Sequence, residues 1–235
     1  MSFSQRSEEL EILDRTSPPV FELGIIYKDI STCNRLLGAH NALLKEIKRL
    51  NIPKNEAFII QDIGCGNGEL LRYLAHHLAT EFPLIKYHGI DLSATIIEEA
   101  KTLASEFKNI SFSQLDVLKV EPPVADLVLI SLTLHHFSSD VIPQLIQNIA
   151  GTVKRYILIA DLQRSRLSYF LFGLFAAVFL KHPIAVADGK TSIKKGFIKK
   201  ELVAFSLKLP NYKHDIAWRW AFRYHWLITL NTTNK

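Results

Sequence analysis

Cysteine is nearly absent from the sequence: Cys33 and Cys65 are the two it has, and they form no C-x-x-C pair. That pattern excludes a cysteine zinc knuckle or a redox dithiol, and so low a count fits a reducing cytoplasm. A membrane-spanning run is also missing. The longest apolar stretch, LSYFLFGLFAAVFL at residues 167–180, has 14 residues, against the roughly 20 needed to cross a bilayer. It reads as a core helix or an interfacial one. The opening MSFSQRSEELEILDR lacks the basic-then-apolar order of a signal peptide. Repeats and low-complexity tracts are absent. Charge of one sign is scarce too: 28 Lys and Arg stand against 23 Asp and Glu, for a net +5. This permits an anionic membrane surface as a partner but does not argue for one, and no nucleic-acid partner is expected.

What is present is a globular composition, 48% hydrophobic, and a rhythm. Residues 26–50 carry Leu36, Leu37, His40, Leu43, Leu44, Ile47 and Leu50 at helical spacing. We assign residues 1–55 to an N-terminal helical cap. From residue 56 to 235 the chain reads as one α/β domain, with an inserted apolar helix near 165–182. AFIIQDI, IKYHGID, ISFSQLD, ADLVLISL and YILIADL are predicted strands, separated by predicted helices. Apolar strands alternating with helices imply a doubly wound, mostly parallel sheet, here of seven strands, Rossmann-like in build. After Asp161 the rhythm breaks into the apolar helix, a basic stretch KTSIKKGFIKK read as a loop, a helix near 198–208, and an antiparallel hairpin turning at Ala221-Phe222.

The strand-to-helix turn QDIGCGNGE places glycines at 64, 66 and 68. Glycine weakens both strands and helices, so three of them suggest that a ligand lies against the backbone. A phosphate loop would need Gly-Lys-Ser/Thr, but Gly68 is followed by Glu69-Leu70. A dinucleotide fingerprint would need G-x-G-x-x-G, and an acid at the helix start repels a pyrophosphate. A nucleoside bearing an amino acid fits better. Asp62 at the strand end faces an ammonium group, and amides at the helix start receive a carboxylate. Asp91 ends the second strand, 29 residues after Asp62, where a carboxylate accepts from a ribose diol. Asp116 follows the third strand, within reach of an adenine amino group.

DIGCGNG, GIDLS, the acid of QLDVL and ADLVLISLTLHHF together resemble the class I S-adenosylmethionine-dependent methyltransferases, over residues 57 to about 161. The resemblance implies that S-adenosyl-L-methionine (SAM) is the cofactor and S-adenosyl-L-homocysteine (SAH) its product. It implies that Asp62, Gly64 and Gly66 line the methionine end, with Cys65 between them. Asp91 and Leu92 take the ribose, Asp116 and Val117 the adenine, and Ser131 lies by the ligand. Asn34 and Arg35 either reach the methionine carboxylate or pair at the surface. NRLLGAHNALLKEI and DLQRSRLSYFLFGLFAAVF resemble bacterial methyltransferases associated with polyketide and lipid-like pigment pathways. That implies a small, hydrophobic, hydroxylated acceptor, with O-methylation favoured. A second copy of the chain and a peripheral membrane contact stay open as partners.

His136, and after it His135, are the candidate general bases, a role typically worth ~10²–10⁴-fold. The competing reading is a pair that only packs or hydrogen-bonds at a strand end. No metal is expected, because adjacent side chains on extended backbone point apart. His40 is a second candidate base or a buried histidine of the helix stripe. His76 and His77 read as surface residues. Asp161, Arg164 and Arg166 either bound the acceptor pocket or, for the arginines, solvate a helix start. The apolar helix, apolar all round, is expected to bury both faces, one on the sheet and the other against the N-terminal helix, a second subunit, a membrane surface or an apolar acceptor. Two further functions stay open: a non-catalytic protein that binds an adenosine ligand, and a nicotinamide-dependent reductase. The latter lacks its Tyr-x-x-x-Lys pair, since Gly173 stands four residues after Tyr169.

Overall fold

A computed structural model describes residues 3–16 and 18–230. Three helices precede the sheet: α1 (Ile12–Arg15), α2 (Val20–Leu36) and α3 (Ala39–Ile47). The α/β rhythm follows as β1 (Phe58–Ile63), α4 (Glu69–Leu78), β2 (Ile85–Asp91), α5 (Ala94–Leu103), β3 (Ile110–Gln114) and β4 (Ala125–Ser131). A 3-10 turn over Leu134–His136 leads to α6 (Ile142–Gly151) and β5 (Val153–Leu162). The remainder is α7 (Arg166–Phe179), α8 (Pro183–Lys195), α9 (Lys199–Leu207), β6 (Lys213–Arg219) and β7 (Arg223–Thr229).

The seven strands form one sheet in the order β3-β2-β1-β4-β5-β7-β6. The first five are parallel; β7 runs antiparallel to both β5 and β6. This is a Rossmann-like, doubly wound sheet closed by a hairpin. Strand order reverses between β1 and β4, where Ile63 is in register with Ile130. The loops leaving these two strands therefore open a crevice at their carboxyl ends, where open α/β sheets bind ligands.

Alternation along the strands builds two cores. Val128 and Ile130 of β4 face Ile142, Ile146 and Ile149 of α6, with Phe205 of α9 and Trp226 of β7. Leu127 and Leu129 face the other way, onto Leu43 and Ile47 of α3 and Leu71 and Leu74 of α4. A strand buried on both faces has no polar side to show, which explains the unbroken apolar runs.

Two expectations fail after β5. The stretch read as a basic loop is mostly helix: residues 190–195 end α8 and Lys199 and Lys200 begin α9, while Lys195 is buried, with Nζ 3.6 Å from Oδ2 of Asp14. Lysine-rich sequence reads as solvated, but here the acidic N-terminal segment lies across it. Helix α7 is the second. Its principal neighbour is α8 rather than the sheet. Leu167, Phe170, Leu171, Leu174 and Val178 are exposed, and their i, i+3, i+4, i+7, i+11 spacing puts them on one face. The helix buries one side only, with the Phe172 ring filling the space where a Cβ on Gly189 would stand. No helix of the described residues is long and apolar enough to cross a membrane.

Candidate active site

The glycine turn after β1 is fixed by backbone conformation and by protein neighbours. Gly64, Gly66 and Gly68 have φ of 73°, 53° and 76°, a region costly for side chains bearing Cβ. A Cβ on Gly64 would stand 2.3 Å from Cγ2 of Thr133, and one on Gly68 would stand 2.6 Å from the Phe112 ring. At Gly66 the nearest atom is on the Tyr27 ring, at 3.4 Å. The sequence reading attributed the missing side chains to a ligand alone. The turn itself calls for all three, and packing adds a second demand at Gly64 and Gly68.

The turn is tied to β2. Gly64 and Cys65 donate their N–H groups to the Ile90 carbonyl at 2.8 and 3.0 Å. Asp91 accepts the Gly66 N–H on Oδ2 and the Ser93 N–H on Oδ1, both at 2.9 Å. Its carboxylate is thereby held at the crevice with lone pairs to spare, since each oxygen has two.

Above the turn lies a cavity of about 1020 Å³. Of the residues expected at the cofactor, Asp62, Gly64, Cys65, Gly66, Asp91, Leu92, Asp116, Val117, Ser131 and Asn34 all line it. Arg35 does not; it is exposed on α2, one position off the lining face. Asp116 sits at the rim, its Oδ2 3.1 Å from Nζ of Lys119. Asp62 is the telling residue. It is buried, and its Oδ1 has no hydrogen-bond partner. Burial, and then the charge of Asp91, push its carboxyl well above the usual range. An orphaned carboxylate beside a second acid asks for a cationic ligand group, because burying it alone is costly. The ammonium of SAM meets that demand, and Asp91 meets that of a ribose.

The two histidines lie at the other end. The 3-10 turn, rather than extended backbone, brings their rings together, with centroids 4.4 Å apart. The expectation that they diverge is therefore wrong. His135 is buried; its Nδ1 lies 2.7 Å from Oδ1 of Asp161, and its Nε2 lies 3.4 Å from Oε1 of Glu11. Burial alone would lower its pKa, but Asp161 and Glu11 override this and raise it to about 9. His136 is exposed, with Nδ1 3.1 Å from Oδ2 of Asp14 and Nε2 3.8 Å from the same Glu11 oxygen. Every ring nitrogen thus faces a carboxylate. His40 lines the cavity and burial lowers its pKa. His76 and His77 are exposed on α4. Asp161 orients His135, Arg166 is exposed, and Arg164 is buried in a paired-fork bridge to Glu201 at 2.6 and 3.0 Å.

Residues 61–155 match the family described as a methyltransferase domain. That segment holds the glycine turn, Asp91, Asp116 and the histidine pair. Solved structures of the same fold hold SAH. No curated protein gives a significant match. Among solved structures, the plantazolicin methyltransferase BpumL in complex with SAH is 18% identical, with a TM-score of 0.62 over 87% of this chain and 90% of that one. Magnesium protoporphyrin IX methyltransferase from Synechocystis PCC 6803 with bound SAH is 15% identical, with a TM-score of 0.55 over 92% and 90%. An O-methyltransferase family 2 protein from Planctomyces limnophilus DSM 3776, in complex with apigenin, is 15% identical, with a TM-score of 0.63 over 92% of this chain and 64% of that one. At such identities the likeness is one of fold.

Sequence reasoning missed Glu11, Asp14, Tyr27, Thr133 and Arg223, all of which line the cavity. None stands in a motif.

Proposed function

We propose that this chain is a SAM-dependent methyltransferase acting on the hydroxyl of a small acceptor with an acidic head and an apolar body, of the phenol, enol or pyrone kind. The observation that carries the reading is Arg223. Its guanidinium is buried at the cavity wall, Nε has no hydrogen-bond partner, and no ion pair engages it among the described residues. Burial lowers its pKa to about 10, which leaves it charged at neutral pH. A buried cation calls for an anionic partner, and an ionised hydroxyl supplies one. The wall near it is apolar, with Leu23, Ile26, Leu37, Phe172 and Leu180. The apigenin complex among the structural neighbours supports a hydroxylated aromatic ring.

Methyl transfer needs no protein nucleophile, because the sulfonium of SAM is already activated. The acceptor oxygen forms a bond to the methyl carbon as the carbon–sulfur bond breaks. The electron pair stays on sulfur, giving neutral SAH, and the hydroxyl proton goes to solvent or to a base. The protein contributes alignment, which is worth up to ~10⁵–10⁸ M in effective molarity. Asp62 and Asp91 hold the donor, and the apolar wall directs the acceptor head inward.

The test is turnover of SAM with a panel of alkylphenols, enols and alkylpyrones, with product mass and methyl position determined. An O-methyl product is expected. The specificity constant should rise about two- to fourfold per added methylene until the cavity is full, since each buried CH₂ contributes up to ~0.8 kcal/mol. Phe172→Ala should flatten that dependence. Methylation of amines alone, or SAH binding without turnover on any acceptor, would sink the reading; the latter would mark a non-catalytic binding protein.

A further inference from the structure

We propose that Glu11, His135 and His136 form a binding site for a zinc-class divalent cation at the acceptor end of the cavity. Their candidate ligand atoms lie within 4.8 Å of one another, and no other such group occurs among the described residues. Both imidazoles aim Nε2 at the same Glu11 oxygen, at 3.4 and 3.8 Å. Tetrahedral zinc, with bonds of ~2.0–2.2 Å, sets its ligand atoms about 3.4 Å apart. Small rotations of the exposed His136 close the widest edge.

What surrounds the three side chains supports the assignment. Metal-bound histidines are generally held from behind, by a carboxylate or carbonyl on the other ring nitrogen. Here Nδ1 of His135 is on Asp161 at 2.7 Å and Nδ1 of His136 is on Asp14 at 3.1 Å. Glu11 is fixed by the Ser192 hydroxyl, which donates to Oε1 at 2.7 Å. Nε2 of His135 is buried, has no hydrogen-bond partner and points into the group. The local field favours a cation: Glu11, Asp14, Asp161 and Asp188 outnumber Lys195 and Arg6 around the site. Three protein ligands leave a tetrahedral ion one open position, the arrangement of catalytic rather than structural zinc.

The open position faces the cavity, so the ion would take an acceptor oxygen and favour its ionised form. That consequence rests on the proposed acceptor class; the binding of the ion does not. The hydrogen bonds of Asp91 and the contacts of the three ligands have no residue in common, so SAH affinity reports on folding independently of the metal.

The experiment uses the full chain, stripped with chelator and dialysed. Zinc chloride is titrated by calorimetry, cobalt(II) is followed by its visible absorption, and magnesium serves as the comparator. The expected result is one zinc per chain, a cobalt spectrum of tetrahedral type, and at least about 100-fold weaker magnesium binding. Glu11→Gln and His136→Ala should each weaken zinc binding about 100-fold or more, with SAH affinity unchanged. Asp161→Asn, which acts on His135 from behind through Nδ1 and the backbone N–H, should weaken it about 10–100-fold. Absence of saturable zinc binding, or wild-type affinity in either ligand variant, overturns the proposal. The group would then be a proton-bridged clasp between His135 and its two carboxylates. Failure of turnover with phenols leaves the metal result standing, so the two proposals fall separately.

Discussion

Asp161 grips His135 twice: Oδ1 lies 2.7 Å from the ring Nδ1, and Oδ2 accepts the His135 backbone N–H at 3.0 Å. One side chain at the end of β5 thus sets both the loop after β4 and the ring it carries. A buried charge that loses its partner is costly. Asp161→Asn should lower stability by about 2–4 kcal/mol, read by urea unfolding. Loss of less than 0.5 kcal/mol, on the order of a surface change, would show that the clasp is not under tension with its surroundings.

Asp91 holds the glycine turn through Gly66 and Ser93 and also lines the cavity. Asp91→Ala should weaken SAH binding by about 2–4 kcal/mol, or roughly 30- to 800-fold, because charge-assisted bonds are worth about 1.5–3 kcal/mol each. Asp91→Asn keeps one acceptor oxygen and should fall between. Calorimetry with SAH decides, and equal affinity in wild type and the alanine variant would remove Asp91 from the site.

Gly64 meets two separate demands, a positive φ and the side chain of Thr133. Gly64→Ala should destabilise the protein and weaken SAH binding. Adding Thr133→Gly should restore part of the loss, leaving the backbone share of about 1–3 kcal/mol. Full rescue by Thr133→Gly would mean that φ is not a constraint; no rescue would mean that Thr133 is not the obstacle.

His225 supplies a pH signature away from the cavity's acids. It is buried in β7, both ring nitrogens lack partners, and its pKa is lowered to about 4. Burial is the main cause. Glu46 opposes it, while Arg219 and Arg223 reinforce it. The folded state therefore resists the proton that the unfolded chain takes near pH 6.5. Stability is full above that pH and declines as pH falls toward 4, by on the order of 3 kcal/mol from this residue. His225→Phe should flatten the slope in that window, as measured by urea midpoints from pH 7 to 4. An unchanged slope would assign the acid lability elsewhere.

Much of the cofactor half was legible because it is local. A strand, a turn and a helix start lie within nine residues at QDIGCGNGE, and Asp91 ends the next strand. Neighbours in sequence there are neighbours in space. The acceptor half was not. Glu11, Asp14 and Arg223 reach it from opposite ends of the chain, and His136 meets Asp14 across 122 positions. No spacing rule links such residues. The face of α7 misled for another reason: apolar composition all round predicts burial all round, yet only α8 was there to cover it. Lys195 misled in the opposite sense, since a lysine run reads as solvated until the acidic segment laid over it is known.

That acidic segment also bears on the order in which the molecule is completed. Arg6 donates through Nε to the Lys195 carbonyl, 189 positions away, and Asp188 accepts the backbone N–H groups of Ile12 and Leu13. Closing a loop grows costlier with its length, about 0.6 kcal/mol per doubling, while each βα unit closes over short spans. The sheet and its glycine turn are therefore predicted to form ahead of this segment, which supplies one wall of the cavity. Pulse-labelled hydrogen exchange would register this as late protection of the Ile12 and Leu13 amides relative to those of β4. Late protection would mean that the glycine-turn side of the cavity is built early and the opposite wall is sealed last.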